Sequence, residues 1–209
     1  MEKRVRISRA ERHAQTREQL LDAARSVFAK HGYGGASIDR IAAEAGYSKG
    51  AIYSNFESKE AIMLALLERY ADDEIAEFNR IMQLDPTTLK TQLKDRLDTL
   101  NADLDWDVMT MELQLHARRN PAFAEQFFAH ETRLTEFHAG IIAERFAREN
   151  KAPPIDTLTM SLVFRTLACG LNLKVPPHPP GRGNAAGSIV NRLLDLMLEQ
   201  AAPARSDGA

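Results

Sequence analysis

Between Ser37 and Lys59 the chain gathers hydrogen-bond donors at short spacing: Ser37, Arg40, Tyr47, Ser48, Lys49, Tyr53, Asn55 and Lys59. Lysine and arginine donate to phosphate or to guanine O6 and N7, and serine and tyrosine hydroxyls donate to phosphate oxygens. Gly50 follows Lys49. Its lack of a side chain lets backbone approach a large ligand, and its cost of ~1 kcal/mol within a helix needs some such compensation. For Arg40 a solvated charge is an equally good reading, while Tyr33 and Tyr70 read as packing residues. A second constellation competes. Glu112 and His116 are one helical turn apart, and His130 and Glu131 follow. Carboxylates and imidazoles so spaced suit a helical-bundle metalloprotein or a metal sensor, although the glutamates that a di-iron bundle needs on two further helices are not evident. Cys169 sits in an apolar segment without an obvious base, so nucleophilic catalysis has no support. Gly32-Tyr33-Gly34-Gly35 runs toward a capping serine rather than Gly-Lys-Ser/Thr and is not a phosphate-binding loop. Neither enzyme activity nor a cofactor is expected.

These residues need scaffolding, and the pattern that supplies it is helical throughout, with no convincing strand and no internal repeat. Leu20, Ala24, Val27 and Phe28 share one face of a first helix, with a capping box at Thr16–Gln19 and an end at His31-Gly32, glycine supplying a left-handed cap. Ser37 opens a second helix carrying Ile38, Ile41, Ala42 and Ala45, closed by Gly46. A third, very short one runs from about Ser48 to Asn55. Gly46 permits the sharp turn between them, and the pair forms a helix-turn-helix whose second member can be presented to a major groove. Ser58 caps a long fourth helix with Ile62, Met63, Leu66, Leu67 and Tyr70 inward. Asp85-Pro86 and Asn120-Pro121 each pair a capping side chain with a first-turn proline, opening helices of about 86–102 and 120–149, with another at about 104–118 between them. Residues 155–175 hold three charges and read as a mostly buried helix. Pro176–Gly181 breaks it, and a last helix spans about 184–202.

The wording of residues 37–61, SIDRIAAEAGYSKGAIYSNFESKEA, closely resembles the signature of the tetracycline-repressor (TetR) family of bacterial transcription regulators. Leu20–Gly35, with Ala24, Phe28 and Gly32-Tyr33, fits that family's first helix and loop. The resemblance covers about residues 14–65, beyond which only the layout matches. It implies an all-α fold: an N-terminal three-helix helix-turn-helix DNA-binding head joined by a long helix to a larger C-terminal helical ligand-binding and dimerisation domain. It also implies DNA contacts at the positions of Ser37, Tyr47, Lys49, Tyr53 and Lys59, and a repressor released from an inverted-repeat operator by a small, largely apolar effector. Asn55 stands where the family often has histidine.

The expected organisation is a basic N-terminal arm at 1–13, the DNA-binding domain at 14–60, the ligand-binding and dimerisation domain at 61–202, and a flexible tail at 203–209. Charge agrees. Residues 1–60 carry 11 basic against 8 acidic side chains, and the remainder 16 against 21. A basic head on an acidic body suits an anionic partner for the head, double-stranded DNA. The arm itself reads either as tracking phosphate or the minor groove or as a disordered segment. Expected pocket residues are Trp106, Met109, Leu113 and His116, facing Phe127, His130, Leu134 and Phe137, with Phe164 and Leu167; plain core is the alternative for each. Leu171, Ile189, Val190, Leu193, Leu194 and Met197 are the expected homodimer surface. The helix beginning at Ser58 is expected to be the only long element belonging to both head and body. One cysteine, the lack of a secretory signal and the lack of a membrane span point to a reducing, cytoplasmic home.

Overall fold

Nine helices occur among the described residues of the computed structural model, which are 8–99, 104–174 and 185–204. They are α1 (Arg9–Gly35), α2 (Ile38–Ala45), α3 (Lys49–Tyr53), α4 (Lys59–Met82), α5 (Pro86–Thr99), α6 (Leu104–Ala117), α7 (Pro121–Arg148), α8 (Thr157–Lys174) and α9 (Ala185–Gln200). Within them no strand forms, only an isolated bridge between Lys151 and Pro203. The fold is all-α, as the periodicity requires.

Three local expectations shift. The capping box of α1 uses Ser8 and Glu11, not Thr16 and Gln19, so residues 9–13 of the supposed arm are helical. Eleven residues separate Ser8 from Leu20, the first buried position of α1, so the true start lies outside the apolar periodicity. Gly32 does break α1, but its φ of 66° pairs with an extended ψ of 171°. That region is essentially restricted to glycine and is not the left-handed cap. Residues 1–7, the Pro176–Gly181 breaker and the end of the tail lie outside the described residues. The start of the tail is tied down rather than loose: the Ala204 amide donates to the Asn150 carbonyl, and Ala152 donates to Ala202.

Apolar side chains assemble three cores. The first joins head to body, because Met109, Leu113 and Ala117 of α6 and Phe123 and Phe127 of α7 pack with Leu20, Ala24, Phe28, Ile41, Ile52 and Phe56. The second lies between α7, α8 and α9, with Phe146, Met160, Phe164, Val190 and Leu194. The third lies between α4 and α5, where Phe78, Ile81, Leu89 and Leu93 meet Phe137 and Ile141 of α7. Helix α8 is less buried than its composition suggests, since Leu158, Leu162 and Val163 are each half exposed.

One carboxylate–imidazole pair is buried among these cores. Glu74 of α4 is 6 % exposed and its Oε1 lies 2.9 Å from His138 Nε2 on α7. Burial alone would raise the carboxyl pKa, but the hydrogen bond and charge of His138, with Arg96 and Arg165 nearby, outweigh burial and hold it below the usual range. A carboxyl depressed in the folded state contributes stability above its unfolded pKa and loses it as pH falls through the folded one. Glu74→Gln is therefore expected to lower Tm at pH 7. The gap to the wild type should close as pH drops below the ordinary glutamate value of about 4.3; a gap independent of pH would contradict the assignment.

Candidate nucleic-acid interface and ligand cavity

The turn between α2 and α3 follows from Gly46, whose φ of 70° and ψ of 26° are left-handed. The Tyr47 amide donates to the Ala42 carbonyl across that turn. Ser48 then caps α3, its hydroxyl accepting from the Ala51 amide at 3.2 Å. Ile52 is fully buried and Phe56 nearly so, both in the core with Ile41 and Ala42. Burying that face turns the opposite one, with Lys49, Gly50 and Tyr53, outward. The Lys49 and Tyr53 side chains are both more than half exposed.

The remaining expected contact residues are placed differently. Ser37 caps α2, accepting from the Arg40 amide. Arg40 turns back to α1, its guanidinium 3.2 Å from the His31 ring nitrogens. The Tyr47 hydroxyl donates to Gln19 Oε1. Asn55 back-bonds to the Ala51 carbonyl, so its amide is directed into α3. Lys59 donates to the carbonyls of Tyr33 (2.7 Å) and Ala36 (3.1 Å) and lies over the Tyr33 ring. Each of these would have to exchange an internal partner to reach a ligand. A Cβ on Gly50 would meet only Ser48 Oγ at 3.7 Å, so nothing inside the protein demands glycine there.

Three residues of this surface escaped sequence reasoning. Asp39 of α2 pairs with Lys49, which places one carboxylate beside the outward lysine. Gln19 holds Tyr47, as above. Arg17 donates to the Asn55 carbonyl at 2.9 Å and lies 4.1 Å over the Phe56 ring, pinning the end of α3 to α1. Arg17 and Asn55 are 38 positions apart, and no local pattern marks the pair.

In the body, a cavity of about 670 Å³ opens between α4, α6, α7, α8 and α9. Of the expected lining residues, His130, Leu134 and Phe164 face it. Met109, Leu113 and Phe127 instead pack in the head–body core. Phe137 stacks edge-on to Phe78 at 6.0 Å, and Leu167 packs against the α7–α9 core. His116 belongs to the head–body junction, 3.6 Å from Glu60. The Trp106 side chain lies outside the described residues. The polar side of the cavity comes from Glu74, His138, Ser161 and the Glu131–Arg165 pair. Leu67, Tyr70, Glu74 and Phe78, at spacings of three and four along α4, were the available sequence signal for its α4 wall.

The metal alternative is not supported by the geometry. Glu112 accepts from the Tyr33 amide, His116 neighbours Glu60, His130 lies 3.4 Å from Glu68, and Glu131 pairs with Arg165. Among the described residues no three such side chains converge on one point. Of the expected dimer residues, Val190 and Leu194 turn into the protomer's own core, Met197 packs beside them, and Leu171 is half-buried. Ile189 and Leu193 face outward. No described helix is long and apolar enough to cross a membrane.

Arg17→Ala removes a charge-assisted hydrogen bond and a cation–π contact at once, so it should destabilise the head by about 1–3 kcal/mol. Amide exchange across residues 49–56 should rise more than across α8; uniform change in both would remove Arg17 as the clamp of α3.

Residues 20–66 match the family model described as bacterial regulatory proteins, tetR family. The HTH-type transcriptional repressor AcnR of Corynebacterium glutamicum is 28% identical over 132 residues, which cover 62% of this chain and 65% of that protein. The chain thus spans slightly under two thirds of the length of that relative. The HTH-type transcriptional regulator UidR of Escherichia coli is 24% identical over 157 residues, 75% of this chain and 79% of its own. Among solved structures, Salmonella enterica GusR superposes with a TM-score of 0.69 at 18% identity, covering 92% of this chain and 98% of that one. A TetR transcription regulator from Haloarcula marismortui does so with 0.70 at 17%, covering 90% and 98%. These two show the shared fold. The family match lies on the helix-turn-helix itself, so residues 20–66 carry this chain's similarity to the tetR family of bacterial regulatory proteins.

Proposed function

We propose that the chain is a cytoplasmic, homodimeric transcriptional repressor that binds an inverted-repeat operator and is released by a small molecule. The observation that carries this reading is the outward face of α3, with Lys49, Gly50 and Tyr53 held by a buried Ile52 and Phe56. Recognition helices meet base edges with their N-terminal residues, and Lys49 is the first residue of α3. Selection of duplexes from random DNA by the full chain tests the reading, since a regulator should enrich one palindromic sequence.

Lys49→Ala and Tyr53→Phe are expected to weaken binding to that duplex without lowering Tm. Loss of a phosphate contact reduces the salt slope by about one, and loss of a base contact costs about 1–3 kcal/mol and relaxes one position. Asp39→Asn should act oppositely on non-specific DNA. It removes a carboxylate that both repels phosphate and occupies Lys49, so affinity for unrelated duplex should rise with a steeper salt dependence. Unchanged binding in all three variants would take α3 out of the interface.

The exposed apolar residues Leu158 and Leu162 of α8 and Ile189 and Leu193 of α9 support a dimer surface. Leu162→Glu with Leu193→Glu should give monomers, because unpaired charges are costly in an apolar interface. A wild type monomeric at micromolar concentration would refute the dimer. The cavity supports an effector with an apolar body and a few hydrogen-bonding groups, which would meet Glu74–His138 and Arg165–Glu131.

A further inference from the structure

We infer that Glu112 is the positioning residue through which the cavity wall sets the entrance of the DNA-facing helices, an inference that rests on the DNA-binding reading above. The two faces of α6 do different things. Thr110, Met111, Gln114 and Arg118 line the cavity. Met109, Glu112, Leu113 and His116, on the opposite face, meet the head. A helix moves as a rigid unit, so displacement on one face is delivered to the other.

What Glu112 touches is the corner that aims α2. Its Oε2 accepts from the Tyr33 amide at 2.5 Å. The carboxylate occupies the place where a side chain on Gly32 would sit, since a Cβ there would lie 2.8 Å from Oε1. The Tyr33 carbonyl is held from the other side by Lys59 at the start of α4. The Tyr33 backbone is thus gripped by α6 at its N–H and by α4 at its C=O. Four residues later Ser37 caps α2. One turn along α6, the His116 ring packs at 4.9 Å from the Tyr33 ring. Burial and the nearby Glu60 carboxylate push the Tyr33 phenol upward, which keeps it neutral in this junction. The expectation that α4 alone links the two halves is therefore incomplete: α6 reaches α1 directly.

Binding linkage is reciprocal, so the joint can be read from the DNA side without knowing the effector. The probe is the selected operator duplex, added to the full-length wild type and to Glu112→Ala and Glu112→Gln, with amide exchange followed along the chain. In the wild type the duplex should slow exchange in α6 and in the cavity-lining part of α7 by about fivefold or more. In Glu112→Ala the Tyr33 amide should exchange about tenfold faster in the free protein. The duplex should still bind, but its effect on α6 and α7 should vanish. Glu112→Gln keeps an acceptor oxygen without the charge and should fall between; it carries the test if the alanine variant does not fold. Exchange in α6 that still responds fully to duplex in either variant overturns the inference while leaving the DNA-binding reading intact. A wild type whose α6 ignores the bound duplex overturns it equally. A wild type that binds no duplex at all removes the DNA-binding reading and this inference together.

Discussion

A five-residue helix has no stability of its own, because nucleation costs more than its few hydrogen bonds return. α3 exists only where something else fixes its ends and buries one side. Ser48 and Gly46 hold the start, Arg17 holds the end, and Ile52 and Phe56 anchor the inner face. Arg17 belongs to α1, and Ile52 and Phe56 share a core with Leu20, Ala24 and Phe28 of α1, so the longest helix of the head supports the shortest. The constraint extends further. The core beneath α3 is continuous with α6 and the start of α7, so the head is completed by residues almost eighty positions away. It is not a module set on a stalk.

The same continuity explains the polar junction. A loop leaving α1 has carbonyl and amide groups that a buried site must satisfy. Here they are satisfied from the body and from α4, by Glu112 and Lys59. The carboxylate meets the N–H of one peptide and the ammonium meets the C=O of the next, each charge suiting the group it faces, and the arrangement requires a glycine at 32 for space as well as for φ. Carboxylates of the body recur in this role of partnering cations or amides: Glu74 with His138, Glu131 with Arg165, Asp195 with Arg145. Glu74, Glu131, Arg145 and Arg165, which line the cavity, are therefore already partnered within the chain.

Much of this was legible in the chain. Helix number and order follow from period, caps and prolines, because those signals are local. Gly46, Ser48 and Ser58 do what their types suggest at a turn and two caps. The outward Lys49 and Tyr53 were readable from spacing against Ile52. What failed to show was every feature that depends on a partner far along the chain. His116 looked like a pocket residue because Trp106, Met109 and Leu113 share its face, yet Met109, Leu113 and His116 itself all meet the head. The stripe was real; which neighbour it faced was undetermined by period. Lys59 looked free to donate to phosphate, and its role at the Tyr33 and Ala36 carbonyls is visible only once α1 and α4 are folded together.

The α8 surface shows why composition alone misassigned burial. Its few charges match a helix surrounded by apolar neighbours, but a protomer supplies them on one side only. Met160, Phe164 and Ala168 pack inward on α7 and α9, while Leu158, Leu162 and Val163 stay half exposed. Exposed leucines on one helix are common, but α9 repeats the feature beside it with Ile189 and Leu193. Two adjacent helices that each bury one apolar face and expose another have the pattern of two helices of a four-helix bundle. The low charge of α8 thus matches the burial on a second side that the dimer proposed above would supply. The inner faces of α8 and α9 share a core with α7. The α7 helix in turn borders both the cavity and the head-facing core, and so lies between the two.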